Sequence, residues 1–131
     1  MGKTKQISVW VDNNPGQVAR VAGALAKARV NITAFATYVT EGGSTMRMLV
    51  TSPAKAKKVL HDLDLRVTEE DVLRLTLREK PGTLAEIGEL LAQAHINIDY
   101  GYETVAKGAT TADLVLAVSD LAGAAKALKG L

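Results

Sequence analysis

The segment NNPGQVARVAGALAKARVNI, Asn13 to Ile32, returns sixty-six residues later as EKPGTLAEIGELLAQAHINI, Glu79 to Ile98. Pro15 pairs with Pro81, Gly16 with Gly82, Leu25 with Leu91, and Asn31-Ile32 with Asn97-Ile98. Val18, Val21 and Val30 meet Leu84, Ile87 and Ile96, which changes volume but not character. A duplication of this length constrains 131 residues more than any composition does, because both copies must follow one folding plan.

Within each copy the periodicities change in the same order. Ile7, Val9 and Val11 alternate with other positions, as do Leu73, Leu75 and Leu77, and this reads as a half-buried strand. A turn with Pro-Gly follows, then an apolar stripe at helical spacing: Val18, Val21, Ala22, Leu25 and Ala28. Proline suits the first helical position, where its missing N–H has no partner to lose, and Asn14 suits the N-cap before it. Lys80 stands at that cap in the second copy. After Asn-Ile, ITAFATYVT and IDYGYETV have strand character. Loops at Gly42-Gly43 and Gly108 then lead to the returning strands TMRMLVTS and TADLVLAVS. Second helices begin at Pro53 and Asp120, and LRV (Leu65 to Val67) forms a short fourth strand in copy one.

Each copy is therefore β-α-β-β-α-β, the ferredoxin-like order, in an α+β fold with antiparallel sheets and helices on one face. Copy two reaches Leu131 before a fourth strand, so its last strand is missing and one sheet edge is left incomplete. Open edges are covered or paired, so association between copies or chains is expected, as a homodimer or higher homo-oligomer. Trp10 lies on the strand face opposite Ile7 and Val9, to be covered by another module or chain.

Composition excludes more than it selects. Apolar residues make up 47% and charged residues 23%, the range of globular chains. Without cysteine there is neither disulfide nor thiolate. MGKTKQISVWVDN holds no long apolar run, so no signal peptide or membrane span is read there and the cytoplasm is the expected compartment. A net charge of +2, spread among acidic residues, gives no reason to expect nucleic acid or membrane as partner. The strands ISVWV, TMRMLV, LRLTL and TADLVL offer one aromatic, Trp10, where a sheet that stacks RNA bases needs several. His61 and His95 stand alone, without metal-ligand spacing, and no nucleophile–base pair or phosphate loop is present. Neither a catalytic site, a metal nor a cofactor is expected.

With P-G-x-[VL]-A, then L-A-x-A, then [VI]-N-I, occurring twice at one offset, the chain resembles the ACT domain, a small amino-acid-sensing regulatory module. The resemblance spans residues 5–68 and 71–131 and looks like a tandem pair without an attached enzyme domain. Tyr100-Gly101-Tyr102 matches a Y-x-Y of similar tandem proteins, and packing or an interface is the simpler role for both tyrosines. In such modules an amino acid sits between two copies, held by the loop before the first helix and the asparagine opening the second strand. By position this implies Asn13, Asn14, Pro15, Gly16 and Gln17 with Asn31 and Ile32 in copy one. In copy two it implies Lys80, Pro81, Gly82 and Thr83 with Asn97 and Ile98. Asn13 matches serine-sensing members, but Val11 and Leu77 replace their histidine.

The chemistry suits these residue types. A helix N-terminus offers N–H groups and a positive dipole end to a carboxylate, glycine leaves the backbone approachable, and asparagine offers both donor and acceptor. Asp99 or Glu103 is available for the ammonium in copy two. The expected function is an amino-acid-binding regulatory protein that signals to a separate protein, such as an enzyme. The alternative is an unliganded structural or dimerisation module that braces a partner enzyme, and copy two, with Glu79 and Lys80 in place of the asparagines, is the better candidate for an empty site.

Overall fold

The computed structural model describes residues 2–131. In chain order its elements are β1 (Gly2–Val11), α1 (Gln17–Lys27), β2 (Ile32–Thr40), β3 (Gly43–Val50), α2 (Pro53–His61), β4 (Arg66–Arg78), α3 (Thr83–Gln93), β5 (Ile98–Thr104), β6 (Thr111–Val118) and α4 (Leu121–Ala127). They form two compact units, one of residues 5–70 and one of residues 71–131 together with residues 2–4.

In the first unit the strand order is β2-β3-β1-β4. β3 pairs antiparallel with both neighbours, and Met48 stands opposite Ile7 on one side and Phe35 on the other. Ile7, Val9 and Val11 point to the face carrying both helices, where they meet Val21, Leu25, Met46, Met48, Ala56 and Leu60 in one buried cluster. The opposite face of β1 is buried too, with Gln6 and Ser8 fully inaccessible, so the expected half-buried strand is covered on both sides. Buried polar groups must find partners, and Glu70 supplies them. Its carboxylate accepts from the Ser8 hydroxyl at 3.0 Å and Thr68 at 2.6 Å. Arg47 donates to Ser8 at 3.1 Å and lies 3.8 Å from Glu70.

The second unit repeats this core: Leu73, Leu75, Leu77, Ile87, Leu91, Leu114, Leu116, Ala124 and Leu128 form its cluster. The spacing between equivalents changes along the chain. Val9 opposes Met46, and its equivalent Leu75 opposes Leu114. The offset is thus 66 before the hairpin and 68 after it, because the β5–β6 connection is longer than the β2–β3 turn. The order here is β4-β6-β5, and the place of a fourth strand beside β4 is taken by residues 2–4 of β1.

Two local expectations are corrected. Leu65-Val67 and Leu73-Leu77 do not belong to separate strands, because Arg66–Arg78 is one continuous strand. Pro15 is not the first helical residue and Asn14 is not the cap: α1 begins at Gln17 after Gly16, and α3 at Thr83 after Gly82. Both glycines cap in the left-handed region, at φ 96° and 95°. The chain enters each helix by a reversal that only glycine makes without strain. Trp10 is faced by the Arg66 guanidinium, 4.5 Å from its ring centre, within its own unit.

Both first helices also end alike. Val30 N–H reaches back to Leu25 O, and Ile96 N–H to Leu91 O, each at 2.9 Å. Arg29 and His95 occupy the left-handed position between, at φ 60° and 57°. That backbone duty accounts for the place of His95.

Candidate functional site

In the first unit β1 ends at Val11 beside the β2–β3 hairpin, where Val11 and Val39 both stand opposite Ser44. The chain then turns through Asp12–Gly16 into α1. A cavity of about 500 Å³ lies between this loop, the first turn of α1 and the end of β2. Its walls include Asn13, Asn14, Pro15, Gly16 and Gln17, so these five expected residues are brought together. Asn14 Oδ1 accepts from Gln17 Nε2 at 2.6 Å, and Asn13 Oδ1 accepts from the Ser44 hydroxyl at 3.4 Å. Gln17 Oε1 is buried and has no hydrogen-bond partner among the described residues. Such an acceptor costs about 1–3 kcal/mol unless something donates to it. No side chain caps α1, so its first N–H groups face the same region without a side-chain acceptor.

Asn31 and Ile32 are not part of this cavity. They lie at the start of β2 while the loop meets its end, roughly 20 Å away at about 3.3 Å per residue. Asn31 N–H donates to the Thr51 hydroxyl, and Thr51 N–H returns a bond to Asn31 O, both at 3.0 Å. Ile32 packs against the core.

The second unit places its expected residues differently. Lys80 and Thr83 line a cavity of about 420 Å³, but Pro81 and Gly82 do not. Its loop is tied to its own surroundings: Glu79 N–H donates to Thr110 O at 2.9 Å, and the Thr83 hydroxyl to Arg78 O at 3.1 Å. Asn97 and Ile98 again lie at the far end of their strand. Asn97 N–H donates to Ser119 Oγ at 2.9 Å, and its amide to Asp99 at 3.1 Å, which engages the carboxylate expected for an ammonium. Tyr100 and Tyr102 are half-buried opposite Ala117 and Val115 and line neither cavity.

Of the lining residues that sequence reasoning did not anticipate, one is charged. Asp12 directly follows β1 and lines the wall. Its signal was its mismatch with Arg78, a reversal of charge between the copies. Outside the cavities, Arg74 donates to Asp113 at 2.7 Å and the Thr76 hydroxyl does so at 2.8 Å. These bonds, Arg74 first, hold the Asp113 carboxyl below the usual carboxylate range. Among the described residues no three His, Cys, Asp or Glu side chains are grouped to hold a metal, and no helix is long and apolar enough to cross a membrane.

Comparison with known proteins adds independent observations. The family model for the ACT domain pair matches residues 2–124. Protein BT0572 from Bacteroides thetaiotaomicron is 28% identical and superposes with a TM-score of 0.90, over 97% of this chain and 87% of that one. The ligand-free regulatory subunit of aspartate kinase from Thermus thermophilus is 16% identical, with a TM-score of 0.70 over 97% and 94% of the two chains. Among curated proteins none matches the chain in sequence.

Proposed function

The chain belongs to the ACT domain pair family, and from that premise we propose a regulatory protein that holds a free amino acid at the loop before α1 and signals to a separate protein. The observation that carries this reading is the buried, unpartnered Gln17 Oε1 at a cavity of about 500 Å³. An amino acid brings both charges such a place wants. Its ammonium donates to Gln17 Oε1 and faces Asp12. Its carboxylate takes the free N–H groups and positive dipole end of α1. Asn14 already holds the Gln17 amide and Asn13 the Ser44 hydroxyl, which orders the loop before binding.

A regulatory rather than catalytic role agrees with the family, and a protein named as a regulatory subunit of aspartate kinase shares the fold. On this reading the partner is a separate enzyme, and a coupling of about 1–3 kcal/mol between ligand and partner suffices. The loop of the second module, crossed by its own hydrogen bonds, is the emptier of the two.

A second reading, a module for dimerisation or bracing, draws support from β2. This edge strand, ITAFATYVT, carries no charge and leaves Phe35, Tyr38 and Val39 exposed, which leaves it open to pairing. Thermal unfolding against each common amino acid separates the two. Ligand binding to the folded state alone stabilises by about 2.7 kcal/mol at a hundredfold excess over Kd. The expected outcome is a rise in Tm with one or two amino acids, abolished by Gln17→Ala. No rise with any of them rejects the sensor and favours the bracing module.

A further inference from the structure

The duplication keeps one exposed helix face in two electrical versions. Positions 19, 20, 23, 26 and 27 of α1 are exposed, and so are their equivalents 85, 86, 89, 92 and 93 of α3. At this spacing the five residues share one side of each helix, away from the buried Val21 and Leu25 of α1 and Ile87 and Leu91 of α3. Ala19 and Ala26 recur as Ala85 and Ala92, so part of the face stays small in both copies. At Gly23 an added Cβ would meet no atom within 4 Å, so nothing inside the unit requires a residue that weakens a helix.

The charges on the two faces are opposite. α1 and α2 together carry Arg20, Lys27, Lys55, Lys57 and Lys58 and no carboxylate, whereas α3 carries Glu86 and Glu89 and no lysine or arginine. Arg20 is matched by Glu86, Gly23 by Glu89 and Lys27 by Gln93. Lys57 is engaged with Glu69 at 3.7 Å, and Arg20 donates to the Leu63 carbonyl at 3.0 Å. Among the described residues no ion pair uses Lys27, Glu86 or Glu89. Asp62 and Asp64 follow α2, and Lys126 lies on α4, which narrows the contrast between the modules without reversing it.

We propose that these faces join two copies of the chain, α1 of one packing against α3 of the other, with the contact repeated by a two-fold axis. Contacts between like modules set cation against cation or carboxylate against carboxylate. Only the contact between unlike modules attracts, so the pattern selects one pairing and rejects two. Two-fold symmetry then uses both faces of each chain. Run antiparallel, α1 brings Lys27 and Arg20 toward Glu86 and Glu89 of the second copy. The cations lie about 10 Å apart along their helix and the carboxylates about 4.5 Å, at about 1.5 Å per residue, a mismatch that long side chains span. The alanines and Gly23 let the helices approach to the near end of the usual range of about 8–10 Å between axes. An acidic partner of another kind would account for the cations of α1 but not for the carboxylates of α3. The proposal does not rest on amino-acid binding, and Ala19 is the one residue of these faces that also lines the loop cavity.

Sedimentation velocity of the whole chain at micromolar concentration tests this. The expected species is a dimer at about 50 mM salt, weakened about tenfold or more at about 500 mM, because screening shortens the reach of exposed charges. Arg20→Glu with Lys27→Glu makes both faces acidic, and Glu86→Lys with Glu89→Lys makes both basic. Each doubly substituted chain should be monomeric, with unchanged circular dichroism because all four residues are exposed. An equimolar mixture of the two should recover the dimer. So should the chain carrying all four changes, since acid again meets base in both cases. A chain that is monomeric at both salt concentrations overturns the proposal. A dimer that survives both double substitutions overturns it too and assigns assembly to another surface, the edge of β2 first. Monomeric variants whose mixture stays monomeric overturn it equally, because charge reversal alone is then not what separates the chains.

Discussion

The first module carries Asp12, Asn13 and Asn14 where the second carries Arg78, Glu79 and Lys80, yet both hang these residues on one core. Ile7, Val9 and Val11 correspond to Leu73, Leu75 and Leu77; Val21 and Leu25 to Ile87 and Leu91; Met46 and Met48 to Leu114 and Leu116. The agreement reflects close packing, in which a change of a single methylene is felt. The disagreement sits on the exposed loop, where substitutions cost the fold little and change the chemistry of the surface. Duplication here has preserved a scaffold twice and given its two rims different charges.

The largest expected effect tests whether the scaffolds are equal. Leu25→Ala and Leu91→Ala each empty the same buried place and should each cost about 2–5 kcal/mol in denaturant unfolding. A clear inequality would show that one module carries more of the stability. Removing residues 2–4 should act on one module only. Amide exchange is expected to quicken about tenfold in residues 71–78, with far less change in β2 and β3, because the removed segment belongs to the second unit. Uniform quickening would break the assignment of that segment.

Gly16→Ala and Gly82→Ala form the next pair. Each forces a side chain into the left-handed region at a cost of roughly 1–2 kcal/mol, and a Cβ at either meets no atom within 4 Å. Equal destabilisation, with amino-acid binding changed only by Gly16→Ala, would sharpen the contrast between the loops. Conversely, Arg29→Gly and His95→Gly relieve the same strain at the helix ends and should each raise stability by up to about 1 kcal/mol.

The smallest effect separates the sheet faces by pH. Asp113, held below its ordinary pKa by Arg74 and Thr76, contributes stability fully present above the unfolded value and lost as pH falls through the folded one. The pair is substantially exposed, so well under about 1 kcal/mol is at stake. Asp113→Asn should flatten the acid limb of the Tm profile slightly, and an unchanged limb would show that this pair does not set the acid loss.

Much of this was legible in the chain itself. The repeat, the alternation of Ile7, Val9 and Val11 and the helical stripe through Leu25 follow from periodicity, which acts locally. Local rules also had limits. The merging of Leu65-Val67 with the next strand into Arg66–Arg78 was hidden because the intervening TEED reads as a connection, whereas pairing makes it strand. The caps were displaced by two residues because Pro-Gly makes a turn before the helix rather than its first step.

By itself, then, the sequence determined the duplicated β-α-β-β-α plan, the family and the loop that gathers Asn13 to Gln17, since short-range preferences and burial patterns are written residue by residue. Only tertiary structure decided that Asn31 lies a strand's length from that loop and that residues 2–4 stand beside β4. Those relations join residues distant along the chain, and their distances are set by how strands pair and helices pack, which no local pattern records.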